Sequence, residues 1–176
     1  MTARKRRGVR WWLVALVVVV AAALGWFGLS VHHHRVHREV FVPVPPKLVW
    51  PVLLDAVRDS HSSAYWPSEY QTLSASVVAE GALVEAVYHT PLGGSVHRYE
   101  IVDFDPPEGF QLVAAPGEDG VGGGMLRLLP VEGGTVVWLC IDYAYRGFSP
   151  SGLYMRLFFF EPYFDAIEAG LLSIGR

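Results

Sequence analysis

Three regimes of apolar and polar positions follow one another along this chain. From Trp11 to Leu29, nineteen consecutive residues carry no charge. As a helix that run covers about 28 Å, close to the roughly 30 Å of a bilayer's hydrocarbon core. From residue 39 to about residue 145 the period shortens to alternation, broken by Gly and Pro. Beyond that the period becomes helical again: Leu153, Leu157, Phe160, Phe164, Ile167, Leu171 and Ile174 recur at steps of three and four and form one apolar stripe.

The alternating region predicts a strand over Glu39–Val44, stopped by Pro45-Pro46, and then a helix over Lys47–Ser60 with Leu48, Val49, Val52, Leu53, Ala56 and Val57 on one face. Six more strands are drawn over Thr72–Val78, Ala82–His89, Ser95–Phe104, Phe110–Ala115, Gly124–Pro130 and Thr135–Tyr145. The breaks between them, such as Glu80-Gly81, Pro91 to Gly94 and Gly133-Gly134, are turn sequences. Seven short strands separated in this way predict an antiparallel meander. Pro162 falls inside the C-terminal stripe and should kink that helix or divide it, because proline lacks a donor and clashes with the preceding turn.

Charge sharpens the division. Arg4, Lys5, Arg6, Arg7 and Arg10 precede the apolar run, and only Arg35 and Arg38 closely follow it, so the positive-inside bias puts the N-terminus in the cytoplasm. The expected organisation is a basic N-terminus over 1–10, a transmembrane helix over 11–31, a His/Arg neck over 32–38 and a domain over 39–176, facing the outside of a bacterial cell membrane. A cleaved secretory signal is the competing reading, with Ala21-Ala22-Ala23 as a small-residue cleavage site, although the apolar run continues past it.

The domain carries seven basic against seventeen acidic side chains, a formal net charge of −10. It repels phosphate backbones and shows no basic stripe, so nucleic acid is not an expected partner. Cys140 is the single cysteine and sits in an apolar run, where it reads as a small core residue. Four of the seven histidines, His32, His33, His34 and His37, lie in the neck. They read as an interfacial collar or as ligands for a soft divalent metal, but no Asp, Glu or Cys is interleaved to complete a rigid site. No metal and no cofactor is expected.

The order of elements, with Phe41-Val42-Pro43-Val44-Pro45-Pro46-Lys47-Leu48-Val49-Trp50-Pro51 entering the first helix, Tyr65-Trp66-Pro67 after it, and Phe164-Asp165-Ala166-Ile167-Glu168-Ala169-Gly170-Leu171 closing the chain, resembles the START-like (SRPBCC) superfamily and, within it, the polyketide cyclase/dehydrase and lipid-transport group. The resemblance covers about residues 36–176 and rests on architecture and punctuation. It implies an α+β helix-grip fold, in which a curved seven-stranded antiparallel sheet wraps a long C-terminal helix over a deep, mostly apolar cavity.

Alternation then suggests the lining of that cavity, since charged positions mark the outer face of a strand and their neighbours the inner one. The inner set comprises Val84 and Tyr88 with Ala86, His97, Tyr99 and Ile101, Leu112 with Phe110 and Ala114, Leu128 with Leu126, and Leu139, Ile141 and Tyr143 with Val137. Leu157, Phe160 and Phe164 join it from the helix, and Trp66 either closes the cavity or is plain core. His97, beside Tyr99, is the candidate acid or base if the chain is a cyclase or dehydratase; otherwise it is a hydrogen-bonded interior polar group. Asp142, Glu161 and Arg156 are either a headgroup clamp or solvated surface. No nucleophile elbow, phosphate loop or zinc motif is present, and the glycine-rich 117–124 stretch, with Glu118 and Asp119, reads as a loop.

These residues need no reaction to explain them. The expected function is that of a membrane-anchored extracytoplasmic binding protein for a hydrophobic small molecule or lipid. The alternatives are a cyclase/dehydratase-type enzyme acting on a polyketide-like or isoprenoid substrate, and an envelope interaction module using the greasy Tyr154–Phe160 segment. The sequence identifies no protein partner.

Overall fold

The computed structural model describes residues 3–118, 122–147 and 149–174. It begins with α1 (Ala3–Leu29), of which Trp11–Leu29 is exposed and long and apolar enough to cross a membrane. Length and composition of this kind suit a membrane span and a signal sequence alike. After Ser30 the chain passes directly into β1 (Val31–Val42), then α2 (Pro46–Arg58), β2 (Gln71–Ser74), β3 (Leu83–Thr90), β4 (Gly93–Asp105), β5 (Gly109–Ala114), β6 (Gly123–Val131) and β7 (Gly134–Arg146). The strands form one antiparallel sheet in the order β1-β7-β6-β5-β4-β3-β2. The chain ends with α3 (Pro150–Tyr154), a π-helical turn over Met155–Phe159, and α4 (Phe160–Leu172). This is the α+β helix-grip fold: α2 and α4 pack on the concave face of the sheet, and their Val49, Leu53, Val57, Phe160, Phe164 and Ile167 share one core with Val84, Ile101, Leu128 and Val137. Burying each such side chain contributes about 1.5–3 kcal/mol.

Three elements depart from the sequence-based expectation. The first strand begins at Val31 and not at Glu39, because all twelve of its residues pair with β7, from Val31↔Arg146 to Val42↔Thr135. The histidine-rich 32–38 segment is therefore part of the sheet and not a separate neck, and a fragment cut at residue 39 loses two thirds of a strand. β2 stops at Ser74, short of the expected Val78, because the Ala75 N–H turns away to the Arg58 carbonyl at the open end of α2.

The third departure lies in the C-terminal helix. Pro162 cannot donate to the helical ladder, and the chain re-registers through a π turn just ahead of it. The extra residue in that turn rotates the preceding segment by about 100°. Gly152, Met155 and Phe159 consequently face the sheet, while Leu153 and Leu157, which the even stripe placed inward, are 51% and 57% exposed.

Candidate functional site

Between the sheet and α4 lies an apolar cavity of about 60 Å³. One wall is the inner face of β5, β6 and β7, with Phe110, Leu112, Leu126, Leu139 and Ile141. The opposite wall is α4, with Tyr163, Phe164 and Ile167, and the sides are Val57 of α2, Trp66, and Leu73, Tyr88 and Tyr99 of β2–β4. Gly123 and Gly124 also line it, where β6 approaches β5 without intervening side chains. At roughly 10–15 Å³ for each water, a space of this size admits a slim group and not a whole lipid.

The polar atoms of the wall are few. The Tyr163 hydroxyl donates to Gln71 Oε1 at 2.5 Å, and the Tyr88 and Tyr99 hydroxyls lie 3.3 Å apart. The indole N–H of Trp66 is buried without a partner in the protein. Burial pushes the Tyr88 phenol up to about 12, and burial followed by its phenolic neighbours pushes Tyr99 far higher. Tyr163 is likewise raised well above the ordinary range by burial. All three are neutral at physiological pH and are not suited to abstracting a proton; Tyr163 spends its proton on Gln71, and the Tyr88–Tyr99 pair keeps one for a ligand oxygen.

Of the residues expected to line it, Trp66, Tyr88, Tyr99, Phe110, Leu112, Leu126, Leu139, Ile141 and Phe164 do so. Val84, Ile101, Leu128, Tyr143 and Phe160 are buried beside it in the core, and Leu157 faces solvent for the reason given above. His97 does not line the cavity. It is half-buried beside Tyr88, with ring centroids 5.6 Å apart; its Nε2 lacks a partner, and burial lowers its pKa against the opposing pull of Glu118. Alternation and the helical stripe did not point to several lining residues, among them Leu73, Gly123, Gly124 and the two polar ones, Gln71 and Tyr163. Tyr163 was legible, since it sits three residues after Phe160 and four before Ile167; Gln71 carries no such signal.

The Tyr163–Gln71 bond is the polar anchor between α4 and β2, and both residues are buried. Tyr163→Phe strands the Gln71 amide without that partner, so thermal unfolding should show a loss of about 1–3 kcal/mol. Unchanged unfolding would mean that the bond contributes nothing net.

The other candidate groups are dispersed. Strand alternation sends His32 and His34 toward the helices, where their rings meet Phe27 and Tyr145 (4.5 and 5.5 Å) and Phe160 (5.6 Å), while His33 lies on the other face, 3.6 Å from Asp142. Among the described residues no group of three or more His, Cys, Asp and Glu is placed to hold a metal. Asp142 pairs with Arg35 at 2.9 Å, Glu161 with Arg38 at 3.0 Å, and Arg156 reaches the Tyr145 hydroxyl at 3.3 Å, so these three do not form one clamp. Arg38 also pairs with Asp165 at 2.9 Å and so ties β1 to two successive turns of α4. The glycine-rich loop lies partly outside the described residues, at 119–121.

No protein-family model and no curated protein sequence matches this chain. Solved structures share its fold at low identity. The ZhuI aromatase/cyclase from Streptomyces sp. R1128 superposes with a TM-score of 0.56 at 18% identity, covering 80% of this chain and 92% of its own. Protein Ms6760 from Mycobacterium smegmatis gives 0.57 at 15%, covering 84% and 96%. StfQ, a di-domain ARO/CYC protein from the steffimycin biosynthetic pathway, gives 0.54 at 16%, and the chain covers 49% of it.

Proposed function

We propose that this chain, which has the START-like helix-grip fold, is a membrane-anchored binding protein that takes an apolar molecule between its sheet and α4. The cavity carries the reading, for its walls are almost wholly apolar and its few polar groups, the three phenols, Gln71 and the Trp66 N–H, are neutral. Each 100 Å² of apolar ligand surface moved into such a space is favourable by about 2.5 kcal/mol, with no catalytic group required. The unpartnered Trp66 N–H favours a ligand that carries an oxygen acceptor, such as a fatty acyl or isoprenoid chain ending in a carbonyl, carboxylate or hydroxyl. The small volume sets a condition: a narrow end of the ligand enters first, and the walls part to admit more.

The anchor reading rests on the apolar Trp11–Leu29 helix, and the basic residues ahead of it support a cytoplasmic N-terminus with the 39–176 region, together with the earlier part of β1, outside. A photoreactive fatty acid irradiated with the full-length chain in lipid nanodiscs, followed by peptide mapping, tests the binding reading. Label on the β6–β7 and α4 peptides containing Leu126, Leu139 and Phe164 is the expected result. Label confined to α1 and to exposed apolar positions would sink it.

A further inference from the structure

Ser30 is the one residue between α1 and β1, so the sheet starts where the apolar helix stops. The far end of β7 returns to the same place: Val31 pairs with Arg146, and the Gly147 N–H donates to the Ser30 carbonyl at 3.0 Å. A Cβ on Gly147 would fall 2.4 Å from Gly28 Cα, so this turn is pressed against the end of α1 and tolerates no side chain. α3 begins at Pro150, three residues on, and three residues of chain reach at most about 11 Å. The backbone thus fixes α3 beside the point where α1 ends.

The face that α3 and the π turn present away from the sheet is apolar. Leu153, Leu157 and Phe158 are 51%, 57% and 63% exposed, on the side opposite the buried Gly152 and Phe159. Arg156 stands exposed among them. Large apolar side chains grouped at one place with a cation at their edge are the composition of a helix that lies in a membrane interface.

We propose that this face is a second membrane contact, resting in the leaflet that α1 leaves. The proposal builds on the reading of α1 as a span and goes beyond it, because a span alone puts no surface of the domain into the leaflet. Continuity with α1 selects lipid over a protein partner: the patch begins six residues after Gly147, which touches the end of α1, and tethering gives even a weak interfacial contact a high effective concentration. The net charge of −10 opposes adhesion elsewhere on the domain. With both contacts made, α4, which starts where the π turn ends, is held at a fixed angle to the bilayer.

The test uses the full-length chain in phosphatidylcholine vesicles, with Cys140→Ser as background and an environment-sensitive fluorophore on Phe158→Cys or Leu153→Cys. Val131→Cys is the control; it is exposed at the β6–β7 turn, at the opposite end of β7 from Gly147. We expect a blue-shifted emission at 158 and 153, quenched at least about twofold by acyl-brominated lipid, with position 131 unaffected. A chain that does not float with the vesicles overturns the anchor and the proposal with it. A chain that floats while 158 and 153 remain as aqueous as 131 overturns the second contact alone. A blue shift that brominated lipid does not quench means burial against protein, and overturns it in favour of an interaction module.

Discussion

Phe159→Ala should be the most destabilising single truncation in the C-terminal helix, and the truncation of its neighbour Phe158 nearly silent. Phe159 is 1% exposed, and its ring lies 5.5 Å from that of Tyr163, 5.6 Å from Phe160, 5.9 Å from Tyr70 and 6.0 Å from Tyr88. Removing it deletes the aromatic hub joining the π turn, α4 and the concave sheet, at a cost of about 3–5 kcal/mol. For a domain of this size the melting temperature should fall by about 6–20 °C. Phe158, exposed, should cost within about 0.5 kcal/mol when the chain is in detergent. The same logic separates Met155→Ala, buried, from Leu157→Ala, exposed. Thermal unfolding followed by near-ultraviolet circular dichroism checks all four. Equal losses at 157 and 159 would show that the helix runs without the π turn.

That pair marks where the sequence was legible and where it was not. Alternation located six of the seven strands, because one-sided burial imposes a period of two that turn residues then delimit; β2 to β7 pair in succession as a meander does, but β1 pairs with β7 and not with β2. It missed the first eight residues of β1, because histidine and arginine there alternate in direction without alternating in polarity. His32 and His34 rest on aromatic rings, and Arg38 reaches Glu161 and Asp165 of α4, so inward positions are filled by polar residues with long or flat side chains. The even stripe from Leu153 to Ile174 misled for the opposite reason. Its spacing is that of an unbroken α-helix, and only the consequence of Pro162, an extra residue in the preceding turn, moves Leu153 and Leu157 outward. The cavity was partly readable for the same cause: the strand positions follow from alternation, whereas Gln71 depends on a partner in α4 that no local pattern reveals.

Leu112→Trp should block the cavity while leaving the fold in place. Leu112 lies on β5 opposite Gly124 and Ile101, lines the cavity and is only half-buried, so an indole there has room to turn inward beside a glycine without compressing a closed core. In about 60 Å³ of space an added ring leaves nothing for a ligand. Labelling of Leu126, Leu139 and Phe164 by the photoreactive fatty acid should drop at least about tenfold, which corresponds to about 1.4 kcal/mol of lost binding. Melting should shift by no more than the about 1–3 kcal/mol typical of an overpacked site. Leu139→Ala acts in the reverse direction on the same space. It opens a void on β7 at a cost of about 2–5 kcal/mol of stability, and a ligand that fills the void returns part of that loss in proportion to its occupancy. The fatty acid should therefore raise the melting temperature of Leu139→Ala by more than that of the parent chain, and that of Leu112→Trp by less. The opposing signs separate the cavity from the exposed apolar face of α3, since neither substitution touches that face. Equal ligand shifts in all three proteins would place the binding outside the cavity and remove the support for a ligand held under α4.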